Sequence, residues 1–292
     1  SLGPQVQALA KKPHIIIATP GRLIDHLNQK NIRLDDVLIV VLDEADRMLD
    51  MGFLPQIERI LSALPRDRQT MLFSATMPSE IMNIAAHHMK LPVRVEIAPT
   101  GTLVERVTQE LFIVPRAQKV ELLEKLLEAH QGSTLIFTRT KHGAKKVTRQ
   151  IKDMGIAAAE IHSNRSLAQR REALEGFKAG KYRVLVATDI ASRGIDVVGI
   201  ELVLNYDLPS TPEDYVHRIG RTARAGAGGH AITFAMPEEQ REVRSIERLI
   251  RKTLPVSQHP ELPSAEFSEI QRRPSRIFRR RPQGRHFGRR RF

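Results

Sequence analysis

Short apolar runs alternate with helical patterns along most of this chain, and that alternation constrains the fold more than any other feature. A continuous apolar run is typical of a strand buried on both faces, and an intervening helix lets the next strand return parallel to it. The sequence therefore predicts an α/β fold of parallel sheets with right-handed crossovers. Strands are predicted at Ile15–Ala18, Val37–Leu42, Met71–Phe73, Leu111–Val114, Thr134–Thr138, Ala157–Ile161, Val184–Ala187, Leu202–Asn205 and Ala231–Phe234. Helices are predicted at Leu54–Leu64, Glu80–Met89, Arg116–His130, Lys141–Met154, Leu167–Lys178, Pro212–Ile219 and Glu238–Lys252.

The same pattern divides the chain into two blocks and a tail. Residues 1–98 hold three predicted strands, fewer than a usual sheet, and are interpreted as the later part of a domain. A linker is predicted at 99–104, followed by a self-sufficient domain at 105–255. From 256 to 292 the pattern ends, and residues 271–292 contain ten Arg, three Phe and no Asp or Glu. Such a composition cannot bury enough apolar surface to order itself, so a disordered basic tail is predicted.

Composition narrows the partners and the compartment. The formal net charge of +13 predicts a polyanionic partner, with nucleic acid as the first interpretation and an anionic membrane surface as the second. No apolar run is long enough to cross a membrane, and the first residues lack the features of a signal peptide. The absent initiator Met indicates a start inside a longer protein, and the absence of cysteine excludes disulfides and thiolate metal sites. A cysteine-free chain fits a reducing compartment, so a cytoplasmic location is expected.

An acidic string, VVLDEAD, ends one of the predicted strands. Ligands of α/β proteins bind just beyond the carboxyl ends of the strands, so Asp43, Glu44 and Asp46 stand where a metal-bound phosphate would lie. A solvated acidic turn is the alternative for the string taken alone. Two further strings, TPGR at 19–22 and SAT at 74–76, also follow predicted strands. The three strings should therefore cluster at one edge of the first sheet.

A basic helix face is predicted in the second block. His217, Arg221 and Arg224 are spaced i, i+4 and i+7, which places them on one face of a helix. Phosphoryl transfer needs a carboxylate to hold Mg²⁺, another to orient or deprotonate water, and an arginine to neutralise charge on the γ-phosphate. If the acids and the arginines belong to different domains, hydrolysis requires the domains to close.

Seven strings follow one another along the chain: TPGR, VLDEAD, SAT, LIFTRT, VLVATDIASRGID, NYDLP and HRIGRTARAG. In this order they resemble those of the DEAD-box ATP-dependent RNA helicases of superfamily 2, and the basic tail is most similar to that of bacterial members. The resemblance implies two RecA-like domains, the first incomplete, that bind ATP and Mg²⁺ and bend one strand of RNA when they close. The implied function is local, ATP-driven unwinding or remodelling of RNA duplexes and RNA–protein complexes. Partners in ribosome assembly or RNA decay are compatible with it, and the sequence identifies neither them nor the RNA.

The resemblance also implies a role for each matching residue. Asp43 would hold Mg²⁺ through water, and Glu44 would be the general base for the attacking water. The arginine fingers would be Arg221 and Arg224. Coupling between the nucleotide site and the interdomain contacts would involve Asp46, Ser74, Thr76 and His217. The ATP ribose, or the water beside it, would be contacted by Gly194 and Asp196. The RNA backbone would be lined by Thr19, Gly21, Arg22, Arg139, Thr140, Thr188 and Asp189.

The chain departs from the family pattern in motifs that bind the nucleotide and the RNA. The phosphate-cradling loop GxxxxGK[ST], the glutamine motif that reads adenine and the first RNA-contacting string are all absent, and they are expected upstream of residue 1. Without the loop, the chain as given is expected to hydrolyse ATP poorly or not at all. Two alternatives stay open: a non-catalytic RNA-binding fragment, and a DNA-directed translocase of the same superfamily. The tail is predicted to bind RNA, with a solubilising extension as the alternative. For Arg218, a structural role and a catalytic role both remain open.

Overall fold

The computed structural model describes residues 2–96, 107–192, 197, 199–222, 228–263 and 265–268, and the predicted linker lies outside this set. The first block consists of α1 (Leu2–Ala10), α2 (Pro20–Asn28), β1 (Ile39–Leu42), α3 (Ala45–Asp50), α4 (Leu54–Ser62), β2 (Gln69–Leu72) and α5 (Ser79–His88). The second consists of β3 (Val107–Ile113), α6 (Lys119–Ala129), β4 (Thr134–Phe137), α7 (Lys141–Asp153), β5 (Ala158–Ile161), α8 (Leu167–Lys178), β6 (Val184–Ala187), α9 (Asp189–Ser192), β7 (Leu202–Asn205), α10 (Pro212–Ile219), β8 (Gly229–Ala235) and α11 (Gln240–Ile250). None of the described helices is long and apolar enough to cross a membrane.

The first block is built on two parallel strands. β1 and β2 pair with Ile39 opposite Gln69. One face of the pair packs against α2, α4 and α5 through the buried side chains Ile24, Leu42, Ile57, Leu61, Ile81 and Ile84. Side chains on the other face are in solvent, since Val41 is 49% exposed and Phe73 is 54% exposed. The described part of this block therefore buries one face of its sheet.

The predicted strand at Ile15–Ala18 is wrong. This segment pairs with no strand among the described residues, and Ile15 and Ile17 are 79% and 95% exposed. An apolar run becomes a strand only when a neighbouring strand takes up its backbone hydrogen bonds, and the described part of the block offers none at this place. The block therefore has two described strands rather than three. The sequence reasoning also missed α2, which begins at Pro20, where the proline lacks an N–H that a helix start would leave unpaired.

The second block holds a six-stranded parallel sheet in the order β3-β8-β7-β4-β6-β5. Strands β4, β6 and β7 are buried along their whole length, which explains their continuous apolar runs and confirms the predicted parallel α/β fold. Helices α6 and α7 cover one face, and α8, α10 and α11 cover the other. Two helices have the predicted bounds, Leu167–Lys178 and Pro212–Ile219. Because all strands run in one direction, the residues that follow them share one edge of the sheet.

The predicted disordered tail, 256–292, is corrected at its beginning. Its first residues form a parallel bridge to Leu111 at the edge of the sheet. Farther along, Leu262 and Phe267 pack against apolar clusters on the two faces of the second block. The composition argument rested on the arginine-rich residues 271–292 and was carried back to 256, so it did not weigh these few apolar side chains or their fit to sites that the sheet offers. We call residues 254–263 and 265–268 the C-terminal clasp; Ser264 and the rest of the predicted tail lie outside the described residues.

Candidate functional site

The acidic string lies where β1 ends and α3 begins. The backbone of Glu44 is in the left-handed region, with φ 50° and ψ 50°, and its N–H donates to Asp43 Oδ1 at 3.0 Å. Such a conformation is uncommon for a non-glycine residue and is concentrated at functional sites. The turn leaves Asp43 and Glu44 exposed and directs Asp46 inward, where it is 2% exposed. A solvated acidic turn therefore does not describe the whole string.

Asp46 connects the end of β1 to the residues after β2. Its Oδ2 accepts the Thr76 N–H at 2.7 Å and the Thr76 Oγ1 hydroxyl at 2.8 Å. The Asp46 N–H donates to Ser74 Oγ at 3.1 Å, and that hydroxyl donates to Thr76 O at 2.6 Å. Every one of these partners is at least 28 residues away along the chain. The clustering predicted for the acidic string and the SAT string is present.

The second block faces this acid through α10. His217 Nε2 lies 3.9 Å from Asp46 Oδ2. The start of α10 is well defined, because Thr211 Oγ1 accepts the Asp214 N–H at 3.3 Å and Pro212 occupies the first helical position. This start determines which side chains of the helix point toward the first block. The structure thus brings together the four predicted coupling residues: Asp46, Ser74, Thr76 and His217.

Arg47 also lies between the blocks, and the sequence reasoning missed it. Its side chain is 8% exposed, with Nη1 3.5 Å from Glu44 Oε2 and Nη2 4.0 Å from Asp214 Oδ1. The surroundings are acidic: burial, together with the charges of Glu213 and Asp214, raises the pKa of Asp50. The only sign of this position in the sequence is that a cation follows directly after the acidic string. The approach of an acid from the other block is visible only in the fold.

Arg218 has a structural role. It is 2% exposed, and its Nε and Nη2 donate to the two carboxylate oxygens of Asp189 at 2.6 and 2.8 Å. Its Nη1 donates to Asn205 Oδ1 at 3.1 Å and to Asp207 O at 2.7 Å, and the guanidinium lies over the Phe137 ring. Protein groups therefore contact the guanidinium along its edges and on one face. Asp189 holds Arg218 with both oxygens, and its predicted contact with RNA stays a prediction.

A pocket opens between the blocks at this point. It is lined by Arg47, Phe137, Asp189, Asp214, His217, Arg218 and Arg221. Two of the three arginines in this lining are already paired with acids: Arg218 with Asp189, and Arg47 with Glu44 and Asp214. Arg221 lines the same pocket as His217, but α10 ends at Ile219 and Arg221 lies in the turn after it, so the prediction that the two share a helix face is wrong. The described residues do not include Arg224, Gly194 and Asp196, and their roles stay predictions.

The predicted RNA-backbone residues lie in two places. Arg139 and Thr140 follow β4, and Thr188 follows β6, so these three share the carboxyl edge of the second sheet. Thr140 Oγ1 accepts the Gly143 N–H at 3.0 Å as the N-cap of α7, and Arg139 Nη2 donates to Glu239 Oε1 at 3.2 Å. The beginning of α2 carries the members from the first block, Thr19, Gly21 and Arg22. Contact of either group with RNA stays a prediction.

The acidic site fits a magnesium ion that arrives with a phosphate. Among the residues that the structure describes, no group of three or more His, Asp or Glu side chains could ligate a metal by itself. Mg²⁺ usually keeps several waters and is bound by one or two carboxylates together with substrate phosphates. Asp43 is exposed and uses one oxygen for the Glu44 N–H, so its carboxylate remains accessible for a contact through water.

Two blocks of parallel strands, with an acidic strand end in one facing a basic helix of the other, form a two-domain RecA-like helicase core. The family model described as DEAD/DEAH box helicase matches residues 1–84, and that described as helicase conserved C-terminal domain matches residues 118–226. A DEAD box protein from the hyperthermophile Methanococcus jannaschii is 39% identical, with a TM-score of 0.54, and the match covers 88% of this chain and 70% of that one. The chain belongs to the DEAD-box helicase family.

Curated relatives agree with this membership. The DEAD-box ATP-dependent RNA helicase CshA of Bacillus licheniformis is 44% identical over 265 residues, which are 90% of this chain and 54% of that protein. CshA of Bacillus subtilis is 43% identical over the same shares of the two chains. The chain thus spans about half the length of the curated relatives it matches.

Two solved structures of a yeast relative also match. Saccharomyces cerevisiae Dbp5 bound to RNA and ADP BeF3 is 30% identical, with a TM-score of 0.72 over 83% of this chain and 65% of that one. A variant of Dbp5 bound to Gle1 and IP6 has the same identity, covers 82% of this chain and 64% of that one, and has a TM-score of 0.59.

Proposed function

We propose that the protein is an ATP-dependent RNA helicase that locally unwinds or remodels RNA duplexes and RNA–protein complexes. Hydrolysis of ATP is coupled to closure of the two blocks. The observation that carries this proposal is the series of contacts from Thr76 through buried Asp46 to His217 of the opposite block. Such a connection makes the geometry of the acidic strand end depend on the position of the second block.

Each residue at the interface has a separate role in the proposed hydrolysis of ATP. Glu44, exposed beyond β1, accepts a proton from the attacking water. Asp43 would hold Mg²⁺ through water, and the charge of the bound ion would offset that of the phosphates. Arg221, with Arg224, stabilises the negative charge that develops on the γ-phosphate. Because the arginines and the acids belong to different blocks, the site is complete only when the blocks are closed.

RNA is the proposed substrate, held by its backbone rather than read by sequence. The carboxyl edge of the second sheet and the start of α2 form the proposed track, and the arginine-rich tail adds salt-sensitive affinity. Because RNA duplexes in the cell interior are the proposed substrate, we place the protein in the cytoplasm. Assemblies for ribosome biogenesis or RNA decay are the proposed context.

ATP hydrolysis with and without RNA tests the enzymatic assignment. We would compare the 292-residue chain with any longer native form that contains it, each with Glu44→Gln. Glu58→Gln, an exposed acid on α4, is the matched control. We expect a form that carries a phosphate-binding loop to show RNA-stimulated turnover that Glu44→Gln abolishes and Glu58→Gln leaves intact. The 292-residue chain should bind RNA with little turnover.

Other outcomes would change the assignment. Turnover that survives Glu44→Gln would refute the role of Glu44 as the general base. Turnover by the 292-residue chain that Glu44→Gln abolishes would show that ATP binds without the GxxxxGK[ST] loop. RNA binding without turnover in every form would favour a non-catalytic RNA-binding protein. Equal unwinding of RNA and DNA duplexes would favour a translocase that does not select RNA.

A further inference from the structure

Arg47 contacts carboxylates from both blocks at once. Its Nη1 lies 3.5 Å from Glu44 Oε2 in its own block, and its Nη2 lies 4.0 Å from Asp214 Oδ1 in the other. The Arg47 side chain is 8% exposed, whereas those of Glu44 and Asp214 are 46% and 17% exposed. Within the part of the chain that the structure describes, Arg47 Nε has no hydrogen-bond partner. The guanidinium therefore depends on these two carboxylates for its charge compensation.

The Asp214 carboxylate is held by its own helix, whereas Glu44 is fixed only at its backbone. Asp214 lies in the first turn of α10, where its Oδ2 accepts the Thr211 hydroxyl at 3.1 Å, so Oδ1 is the oxygen nearer to Arg47. Glu44 has its backbone in the left-handed region just before α3. Arg47 is one turn farther along, and its N–H donates to Asp46 Oδ1 at 2.9 Å. A planar guanidinium with donors on several edges can reach two acids in different directions, which a lysine cannot do.

We propose that Arg47 is a positioning residue that aligns the Glu44 carboxylate when the second block docks. This inference rests on the proposed function, because it takes Glu44 as the general base. In the docked arrangement Asp214 shares the guanidinium, so Glu44 is oriented by one long contact rather than by a bidentate ion pair. Arg47 thus makes the position of the base depend on domain closure.

Acidic residues surround this contact on both sides. Besides burial, the charges of Glu213, Asp214 and Asp46 raise the pKa of Asp50, and that of His217 opposes them. Docking therefore brings like charges of the two blocks close together, which is unfavourable unless a cation lies between them. Arg47 is the cation nearest to Asp214 in the ion pairs found between the described parts of the blocks. Its removal should weaken docking as well as misalign the base.

Exchanging the charges at positions 47 and 214 separates an effect on docking of the blocks from an effect on the alignment of Glu44. In the form that hydrolyses ATP, docking would be followed by Förster transfer between dyes on cysteines introduced at Asn83 of α5 and Lys145 of α7. Both positions are exposed, and the chain has no cysteine of its own. With RNA and ADP–beryllium fluoride present, we expect Arg47→Glu and Asp214→Arg each to reduce the transfer. The double variant should restore it, because the interdomain ion pair is reformed with opposite polarity.

The kinetic result should differ from the docking result. Arg47→Lys keeps the charge but cannot reach both acids, and we expect kcat to fall about tenfold with a change in KM below about twofold. The charge-exchanged double variant should dock but stay slow, since its position 47 then repels Glu44. The control Arg59→Glu changes an exposed arginine of α4 whose contact, Asn28, is in the same block. It should alter neither docking nor kcat.

Three results would overturn the inference. They are unchanged transfer in both single variants, full kcat in Arg47→Lys, and recovery of kcat together with docking in the double variant. The last would mean that Arg47 only bridges the blocks and does not position Glu44. Failure of the proposed function is distinguishable, because it would appear as absent RNA-stimulated hydrolysis in the unsubstituted protein.

Discussion

Replacing Arg218 with Met should destabilise the second block strongly, because it removes a buried cation from a full set of partners. The guanidinium pairs with both oxygens of Asp189 and donates to Asn205 and to the backbone of Asp207. Methionine has a similar length and can still pack over Phe137, so the change tests charge and hydrogen bonding more than volume. The Asp189 side chain, 16% exposed, then loses the Arg218 guanidinium.

The expected cost follows from this geometry. Breaking a buried ion pair by removing one partner costs about 3–5 kcal/mol, and the partial exposure of Asp189 favours the lower end because water can reach its carboxylate. For a domain of this size, about 2–4 °C of melting temperature is lost per kcal/mol, which gives a decrease of about 6–12 °C. Removing both charges with Arg218→Met and Asp189→Leu should recover part of the loss, since no uncompensated charge then remains.

Hydrogen exchange at the amides of β7 measures this effect in the second block, because its central strands open only with the block as a whole. Thermal unfolding followed by circular dichroism gives the melting temperature. Arg244→Met, an exposed arginine of α11, is the matched control and should leave both unchanged. A melting temperature of Arg218→Met within about 2 °C of the parent would refute a structural role.

Three further predictions concern separate parts of the chain. Burial lowers the pKa of His162, so the folded state favours the neutral histidine. The contribution of His162 to stability should therefore be fully present above pH 6.5 and be lost as the pH falls below that value. His162→Gln should make the urea midpoint less dependent on pH. Deleting residues 269–292 should weaken RNA binding and reduce the slope of log affinity against log salt, whereas an unchanged slope would favour a solubilising role. Phe267→Ala should release the C-terminal clasp and speed hydrogen exchange at Leu111, whose N–H donates to the clasp; unaltered protection there would contradict this.

Local sequence determined the elements of the second block and the order of its motifs. The bounds of α8 and α10 could be predicted because their starts carry local signals: Ser166 and Gln169 form a capping box, and Thr211 with Pro212 begins the other helix. These interactions join residues three positions apart, so they are present in the sequence itself. Continuous apolar runs likewise indicated strands buried on both faces. Ile15–Ala18 had such a run without a described neighbour to pair with, and the strand is absent.

Tertiary structure alone decided how the polar groups are paired. The carboxylate of Asp46 meets Thr76, and the guanidinium of Arg218 meets Asp189, across separations of 30 and 29 residues. Arg47 and Asp214 are farther apart still and belong to different blocks. Helical spacing predicted His217 and Arg221 on one face, but α10 ends before Arg221. The spacing also could not show that Arg218 is directed into the protein. The physical reason is that capping and periodicity depend on neighbours in the chain, whereas the partner of a buried charge depends on which strands and helices pack together.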